Sequence, residues 1–397
     1  MIIRHFLILV CVMCVSPALS FEVSDIEFEV LTKKPGQENS PDLLFTVHQV
    51  QRKTQSSPAL RISAAIRASR TGEIVASRTF DKSLVFDLKQ HNGGALTYSI
   101  ESNLFRPCGG FNNVIVETNA ALRTRRVHSA ADLKHTNKHD FDILPGGNIV
   151  FNSYEPIRSN IGFEFSRRGN CLRESVVQEV NPKGAIEFEW HSIEDYPVGN
   201  TVYERDRPDY AHLNSTDLSD DGKLYAFSLF GLSSVAIVSR STTEVLATLG
   251  GAGDFTFVND PLNGFCGQHQ AEWVAKNRIL LFDNGNSKHC RGGALKRDYS
   301  RVVEYELDFE QMTATLVWSY ENRDIHGVIA GGVSRLKNGN TLIAWGSHAK
   351  NAETAPTFSE VTREGEVVWE ARVTLNFDQL APDKQVPRSY RIYETIN

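Results

Sequence analysis

The sequence has little sustained helical periodicity, no long run of basic residues and no long apolar stretch after its first 20 residues. Few segments place apolar residues at the spacing of an α-helix. Lys and Arg form no run longer than Arg-Thr-Arg-Arg at 123–126, and the formal net charge is −6. Because nucleic acids and anionic membranes attract clustered positive charge, the sequence predicts neither as a partner.

Motifs for nucleotide binding and for serine hydrolases are absent as well. The sequence contains no P-loop, no Rossmann fingerprint and no Gly-x-Ser-x-Gly elbow. We therefore predict no nucleotide cofactor. The 397 residues are 41% apolar and 23% charged, which is typical of an ordinary globular protein with one large core or two domains.

The first 20 residues differ from the rest of the chain. Arg4 and His5 precede an apolar stretch over 6–15, and small residues follow up to Ser20. This pattern predicts a secretory signal peptide over residues 1–20. A membrane anchor needs about 20 apolar residues, and neither this stretch nor a later one is that long. We expect a secreted, extracytoplasmic protein without a membrane anchor.

Removal of the signal peptide would leave Cys108, Cys171, Cys266 and Cys290. In an oxidising compartment, four cysteines favour two disulfides. Cys266 with Cys290 is the local pairing, which leaves Cys108 with Cys171. Three pairings are possible, and the sequence does not select among them.

A repeated β unit dominates the rest of the chain. Each copy has a short strand, a polar turn and a second apolar strand, and copies start at 139, 212, 268 and 330. A further pair of strand-like segments follows each copy. Four short strands at a period of roughly 50 residues are typical of a propeller blade. We therefore predict an all-β, six-bladed β-propeller over residues 91–397, with a β-sandwich array as the alternative.

Residues 21–90 lack the repeated unit. The segment ALRISAAIRASRTGEIVASRTF alternates in the manner of β-strands around a Thr-Gly turn. We interpret residues 21–90 as an N-terminal accessory β region or a divergent blade.

Three of the repeated units carry a histidine immediately before or at the start of their first strand: His139, His212 and His269. Equivalent positions of successive blades approach the axis of a propeller, so we expect these side chains to meet in one pocket. His326 is a fourth candidate, because it follows His269 at the spacing that separates His269 from His212. One histidine at a strand edge is usually structural, whereas three equivalent ones predict a functional cluster.

The unit sequences also contain recognisable motifs in a fixed order. They are HDFDILPGGNIV, HLNSTDLSDDGKLYAFS, FCGQHQAEW followed by FDNG, GGVSRLKNGNTLIAWG and the closing SYRIYE. Over roughly residues 95–397 the chain resembles the arylsulfotransferase family, the PAPS-independent aryl-sulfate sulfotransferases. The resemblance implies a six-bladed propeller that moves a sulfuryl group from an aryl sulfate donor to a phenolic acceptor.

The resemblance implies roles for four residues. His269 of the Gln-His motif would become transiently sulfurylated. His212 and Asn214 of the His-x-Asn motif, together with His139, would serve in proton transfer and charge stabilisation. A neutral imidazole is a good nucleophile, and a histidine that titrates near neutral pH can accept the proton of a phenol.

One position departs from the family pattern. An arginine usually lies near the end of the strand after His-x-Asn, where this chain has Leu229 or Phe230. Because a cation would stabilise the transferring group, its loss favours an alternative function, a catalytically inactive secreted propeller that binds a ligand or protein. Lys138, Arg301 and Arg291 are candidates to replace the arginine.

Two patterns that are reminiscent of metal sites are weaker. A zinc site would use two cysteines and two histidines, namely Cys266, His269, His289 and Cys290. The adjacent pair His289–Cys290 is unusual for tetrahedral zinc. The segment 217–222 lacks the downstream glutamate of a calcium loop. We therefore predict no metal.

Overall fold

The computed structural model describes the ranges 21–37, 40–55, 59–102, 113–133, 136–157, 172–202, 209–286, 290, 297–348, 350–381 and 384–396. Within these ranges the chain is almost entirely β-strand. The helical segments there are α1 (Ser192–Asp195) and three 3-10 turns of three residues each. None of these helices is long and apolar enough to cross a membrane. The predicted signal peptide, residues 1–20, lies outside the described ranges.

The strands of the described ranges are short and follow one another closely. Their bounds are β1 Ile26–Lys33, β2 Leu43–Gln51, β3 Leu60–Ala68, β4 Ile74–Asp81, β5 Val85–Gln90, β6 Leu96–Glu101, β7 Asn113–Thr118, β8 Thr124–His128, β9 Phe141–Ile143, β10 Ile149–Pro156, β11 Arg173–Val180, β12 Ile186–His191, β13 Leu213–Leu218, β14 Leu224–Leu229, β15 Ser234–Ser239, β16 Val245–Gly250, β17 Thr256–Val258, β18 His269–Ala275, β19 Arg278–Asp283, β20 Ser300–Asp308, β21 Thr313–Asn322, β22 Gly332–Arg335, β23 Thr341–Ala344, β24 Phe358–Val361, β25 Val367–Leu375 and β26 Arg388–Glu394.

Six sheets form the blades of a β-propeller, which confirms the predicted all-β class and blade number. From the inner strand outwards, blade 1 is β26-β2-β3-β4, blade 2 is β5-β6-β7-β8 and blade 3 is β9-β10-β11-β12. Blade 4 is β13-β14-β15-β16, blade 5 is β18-β19-β20-β21 and blade 6 is β22-β23-β24-β25. Two strands extend outer edges: β17 pairs in parallel with β21, and β1 pairs antiparallel with β25.

The ring closes through pairing between distant parts of the chain. The inner strand of blade 1, β26, pairs with β2 from Leu43↔Glu394 to His48↔Arg388. Residues 21–90 contribute β1 to blade 6, β2 to β4 to blade 1 and β5 to blade 2. The expected boundary at residue 90 therefore falls between β5 and β6, which are paired strands of one blade.

The repeated sequence unit corresponds to the inner two strands of a blade and the turn between them. These turns need backbone conformations with positive φ, which glycine and asparagine adopt most readily. Gly147, Gly222 and Gly339 have φ of 90°, 71° and 88°, and Asn277 of blade 5 has φ of 60°. The polar turn residues of the motif thus fix the hairpin geometry.

The apolar core lies between neighbouring blades. Because successive residues of a strand point to opposite faces, each blade packs one face against each neighbour. Buried side chains link blades 6 and 1, blades 3 and 4, and blades 4 and 5, for example Phe45 with Phe358, Phe188 with Tyr225, and Ile237 with Ile279. These cores hold the inner strands at fixed positions around the channel.

Neighbouring inner strands run in the same direction, as their cross-blade hydrogen bonds show. In blades 4 to 6 these bonds join Ala271 to Ser215, Trp273 to Asp217, Val333 to Gln270 and Arg335 to Glu272. The starts of the inner strands, with His139, His212 and His269, therefore share one mouth of the channel, which we name the histidine end. Asp217 and Glu272 lie towards the other mouth, the carboxylate end.

Candidate active site

The three histidines predicted from the sequence meet at the histidine end. The ring centroids of His139 and His212 are 5.1 Å apart. The Phe230 ring lies between the other two, 5.3 Å from the His212 ring and 4.9 Å from the His269 ring. His139 and His269 are 4% and 3% exposed, so both rings are shielded from bulk water.

Asn284 fixes the orientation and the tautomer of His269. The Nδ2 of Asn284 donates to the carbonyls of Gly327 and Ala330, so its Oδ1 is the acceptor that faces His269 Nδ1 at 2.8 Å. His269 Nδ1 therefore carries the proton, and Nε2 has the lone pair. That lone pair accepts a hydrogen bond from the Ala330 N–H at 3.2 Å.

His269 is neutral at any pH near neutrality. Burial lowers the pKa of His269 to about 3, against the opposing effect of the hydrogen bond with Asn284, and the charges of His212, Arg391 and Lys138 lower it further. The pKa of His139 is also lowered well below its usual value, first by burial and then by Lys138. A neutral imidazole has the free electron pair that a nucleophile requires.

His212 forms a dyad with Asp209, a residue that no sequence motif indicates. Burial favours a higher pKa for Asp209, but His212 and Arg173 lower that pKa to about 2, so the carboxylate is ionised. His212 Nδ1 then donates to Asp209 Oδ2 at 2.5 Å, which leaves Nε2 as the proton acceptor. The φ of His212 is 52°, a left-handed conformation that is uncommon outside glycine.

His139 is oriented by its own neighbours. Asn137 donates its Nδ2 to the Leu213 carbonyl and accepts from His139 Nδ1 through Oδ1 at 2.6 Å. The Tyr154 hydroxyl lies 3.3 Å from the same nitrogen, and the Tyr390 hydroxyl donates to the His139 carbonyl at 3.1 Å. His139 thus has the same tautomer as His269, with Nε2 unprotonated.

Asn214 connects blades 4 and 5. Its Nδ2 donates to the carbonyl of Gln268 at 2.7 Å, and its Oδ1 is buried without a hydrogen-bond partner among the described residues. The Gln268 side chain in turn donates to Ser228 Oγ and to the Ser234 carbonyl. These contacts hold the start of β18, and with it His269, in position.

Two cations lie near the histidines. Lys138 acts electrostatically on both His139 and His269, and its ammonium lies 4.7 Å from the centre of the Phe86 ring. Burial lowers the pKa of Lys138 to about 8. The second cation is Arg391, whose role was not predicted from the sequence. It is 3% exposed.

Arg391 is held by a buried network in the middle of the channel. Its guanidinium donates to Asp87 Oδ1 at 3.1 Å and to the Asn214 carbonyl at 2.6 Å, and it lies 3.2 Å from Asp140. Burial favours a higher pKa for Asp140, but Arg391 and Lys89 lower it to about 2. Arg391 is thus paired with two carboxylates, whereas the charges of Glu101 and Asp209 act on Lys138.

The other residues proposed to replace the missing arginine do not all reach the cluster. Arg301 is bound to Asp283 at 2.9 Å and to Asp260 at 2.9 and 3.0 Å in the outer part of blade 5. Arg291 lies outside the described residues. At the expected arginine position, Phe230 contributes an apolar ring in place of a charge, so Lys138 is the candidate of the three that lies near the histidines.

His326, the fourth candidate from its spacing, makes no ring contact with His139, His212 or His269 within the described ranges. Its side chain lies instead against the backbone of Asn284, the residue that orients His269. Burial and Arg297 lower the pKa of His326. In blade 6 the position facing His269 belongs instead to the backbone of Ala330.

A disulfide joins Cys266 to Cys290 close to His269. This bond confirms the local pairing, and it occupies both thiols that a zinc site would use. Cys108 and Cys171 lie outside the described residues. Within the described ranges, no group of three or more His, Cys, Asp and Glu side chains is arranged to hold a metal ion.

The carboxylate end opens into a cavity of about 570 Å³. Asp217 accepts the Trp273 N–H at 2.7 Å, and Glu272 accepts the Arg335 N–H at 2.8 Å. Burial raises the pKa of Glu272 to about 7, and burial together with Glu272 raises that of Asp217 well above its usual value. Charged groups of both signs complete the lining, among them Asp140, Asp142, Lys89 and Arg335.

Comparison with known proteins identifies a family. The sequence model described as Arylsulfotransferase (ASST) matches residues 112–374, more than half of the chain. Over 83 residues the chain is 32% identical to an arylsulfate sulfotransferase, AssT, of Escherichia coli O6:H1 strain CFT073. That alignment covers 20% of this chain and 14% of the enzyme, so it spans only a small part of that relative.

Solved structures with similar folds have low sequence identity. The periplasmic gluconolactonase PpgL of Pseudomonas aeruginosa is 10% identical with a TM-score of 0.43, over 89% of this chain and 99% of that one. A protein of unknown function from Desulfotomaculum acetoxidans DSM 771 is 11% identical with a TM-score of 0.42, over 87% and 94%.

Proposed function

Because this chain belongs to the arylsulfotransferase (ASST) family, we propose that it transfers a sulfuryl group from an aryl sulfate to a phenol through a sulfohistidine at His269. The observation that carries the proposal is the convergence of a neutral, oriented His269 with the His212–Asp209 dyad. The first supplies a nucleophile and the second a base, which are the two groups that a double-displacement transfer needs.

In the first half-reaction, the Nε2 lone pair of His269 attacks the sulfur of the aryl sulfate. An N–S bond forms, and the bond between sulfur and the aryl oxygen breaks. The leaving phenolate keeps the electron pair of that bond and takes a proton from protonated His212. Asp209 stabilises the imidazolium form of His212 before this transfer, because its carboxylate is ionised and hydrogen-bonded to Nδ1.

In the second half-reaction, the acceptor phenol gives its proton to His212 Nε2 and its oxygen attacks the sulfur. The N–S bond breaks, its electron pair returns to His269, and a new aryl sulfate leaves. His212 is protonated again and ready to serve as the acid in the next cycle. Two easier displacements thus replace one direct transfer between phenols.

We assign the stabilisation of the sulfuryl oxygens to Lys138 and to the Ala330 N–H. Lys138, like Arg391, acts electrostatically on both His139 and His269, and we assign it the place of the arginine because Arg391 is already paired with Asp87 and Asp140. The Ala330 N–H donates to His269 Nε2 at 3.2 Å, and attack on sulfur requires this contact to open. The released N–H then faces a sulfuryl oxygen as a donor.

A binding protein without catalysis is the second candidate. Two observations favour it: the apolar Phe230 ring stands between His212 and His269, and the Ala330 N–H already occupies the lone pair of His269. A recognition site needs neither an accessible nucleophile nor stabilisation of developing charge. Activity measurements separate the two candidates.

We also propose an extracytoplasmic location for the mature chain. The disulfide between Cys266 and Cys290 supports it, since such bonds persist in oxidising compartments. The charge and hydropathy pattern of residues 1–20 supports it as well.

The test is a transfer assay with the purified chain, nitrophenyl sulfate as donor and phenol as acceptor. The proposal predicts release of nitrophenol that depends on the phenol, with stoichiometric formation of phenyl sulfate. If the folded protein releases no nitrophenol between about pH 6 and pH 9, the binding function replaces the enzymatic one.

A further inference from the structure

A second group of basic side chains lies beside the histidine cluster, on blade 1. His48 of β2 and Arg388 of β26 are directly paired across these strands, so their side chains share one face of the blade. The His48 ring packs on Phe86 at 4.8 Å, and Phe86 contacts Tyr390 at 5.8 Å. Tyr390 in turn lies 5.8 Å from the His139 ring, which connects this group to the cluster.

Arg388 differs from the other buried and half-buried arginines of the described residues in its lack of hydrogen-bond and ion-pair partners. It is half-buried, yet its guanidinium makes no hydrogen bond or ion pair within the described part of the chain. The other buried or half-buried arginines there all have such partners. Examples are Arg70 with Glu394, Arg301 with Asp260, Arg335 with Glu304 and Arg391 with Asp87.

His48 provides a second unpaired group at the same place. It is 5% exposed, and its Nδ1 is buried without a hydrogen-bond partner in the described residues. A buried polar nitrogen without a partner is unfavourable, because it has lost its hydrogen bond to water. Within the described residues, one face of the β2–β26 pair therefore holds both an unpaired cation and an unpaired ring nitrogen.

The charges around Arg388 favour an anion. The Lys138 ammonium lies 4.7 Å from the Phe86 ring on which His48 packs, and its charge acts on His48, His139 and His269. Arg61 is a further basic neighbour of His48, but Glu101 neutralises it through an ion pair. The positive charge of Arg388 is not compensated in this way, and a bound anion would relieve its desolvation.

We propose that Arg388, together with His48, forms an anion subsite that binds a carboxylate or sulfate group on the ring of the phenolic substrate. The substrate class is then a phenol that carries a second, negatively charged substituent. The effect on transfer rests on the proposed function, whereas the binding of the anionic group does not. Arg388 is a specificity-determining residue in this account and takes no part in the chemistry.

The kinetic test compares para-hydroxybenzoate with phenol as acceptors for the wild type, Arg388→Gln and Arg388→Lys. Loss of a hydrogen-bonded charge pair weakens binding by about 10- to 100-fold. We expect Arg388→Gln to raise the KM for para-hydroxybenzoate by that factor, with unchanged kcat and unchanged KM for phenol. Arg388→Lys should restore part of the difference. The matched control is Arg278→Gln, because Arg278 pairs with Glu306 on the outer face of blade 5.

Equal changes in KM for both acceptors would overturn the subsite, and so would a wild type that shows no preference for the carboxylated phenol. If the wild type transfers no sulfuryl group at all, calorimetric titration with para-hydroxybenzoate decides the question alone. Binding that is tighter than that of phenol and is weakened in Arg388→Gln supports the subsite without the enzyme function. Equal affinity for the two phenols contradicts it.

Discussion

At the two mouths of the channel, burial changes the pKa values of ionisable groups in opposite directions. At the histidine end, burial removes protons from bases, and the pKa of His269 falls to about 3. At the carboxylate end, burial holds protons on acids, and the pKa of Glu272 rises to about 7. Arg391 lies between the two ends, and Asp87 and Asp140 neutralise its charge.

The difference shows why chemistry is expected at one mouth only. A base that loses its proton gains an electron pair, so the neutral His269 and His139 are potential nucleophiles and proton acceptors. Each has a hydrogen-bond partner that selects Nε2 as the unprotonated nitrogen. A protonated carboxyl group such as that of Glu272 is a poor nucleophile, and its ionised form repels a sulfate.

The largest effect is expected from His269→Ala. Removal of the nucleophile should abolish sulfuryl transfer from nitrophenyl sulfate, because no other group takes over covalent catalysis. His191→Gln is the control: His191 is bound to Glu174 and Glu189 on blade 3 and should leave the rate unchanged. Transfer by His269→Ala at the wild-type rate would show that His269 is not the nucleophile.

The next largest effect is expected from Asp209→Asn. The amide cannot stabilise the His212 imidazolium, so loss of general acid–base catalysis should lower kcat by about 10²- to 10⁴-fold. Thermal unfolding separates this role from a structural one, because the amide has nearly the size of the carboxylate and should leave the melting temperature nearly unchanged while kcat falls. A wild-type kcat together with a loss of thermal stability would show that Asp209 serves only in packing.

Lys138→Met should have a smaller effect on transfer. Loss of one stabilising group for the developing charge raises the barrier by about 2.7–4 kcal/mol. Since the pKa of Lys138 is about 8, raising the pH through that value removes its charge, and wild-type kcat should fall. Lys138→Arg should keep its activity to higher pH. Identical alkaline limits in Lys138→Arg and the wild type would exclude Lys138 as the cation.

Glu272→Gln should leave sulfuryl transfer unchanged and affect only the stability of the fold. This outcome would distinguish the carboxylate end from the histidine end. The folded-state pKa of Glu272 is about 7, against an ordinary value of 4.5, so the folded protein holds a proton that the unfolded chain releases. The contribution of Glu272 to the free energy of unfolding is fully present below about pH 4.5 and is lost as the pH rises through about 7. Urea unfolding at about pH 8 should show the variant more stable by roughly 2–3 kcal/mol. A variant of lower stability at that pH, or a change in kcat, would contradict the comparison.

The blades could be predicted from the sequence because they are local. Each hairpin has its own turn, as at Gly147 or Gly222, and its own short, largely buried strands. The closure of the ring could not be predicted, since the pairing of β2 with β26 joins residues that are distant in the chain. No local pattern indicates which distant strand completes a blade.

The same distinction holds for the site. His139, His212 and His269 could be found because they occupy equivalent places in repeated units. Asp209 and Arg391 belong to no repeated motif, so their roles depend on contacts that only the folded structure reveals. The available signals are weak: Asp209 precedes His212 by three residues, and Arg391 is a charge inside a buried strand.

The most direct test of the central claim is the mass of the peptide that contains His269 after reaction with nitrophenyl sulfate in the absence of an acceptor. The account predicts that this peptide gains one SO₃ group on the histidine and loses it when phenol is added. A protein that turns over without this adduct, or that carries it on another residue, would contradict the assignment of His269 as the nucleophile.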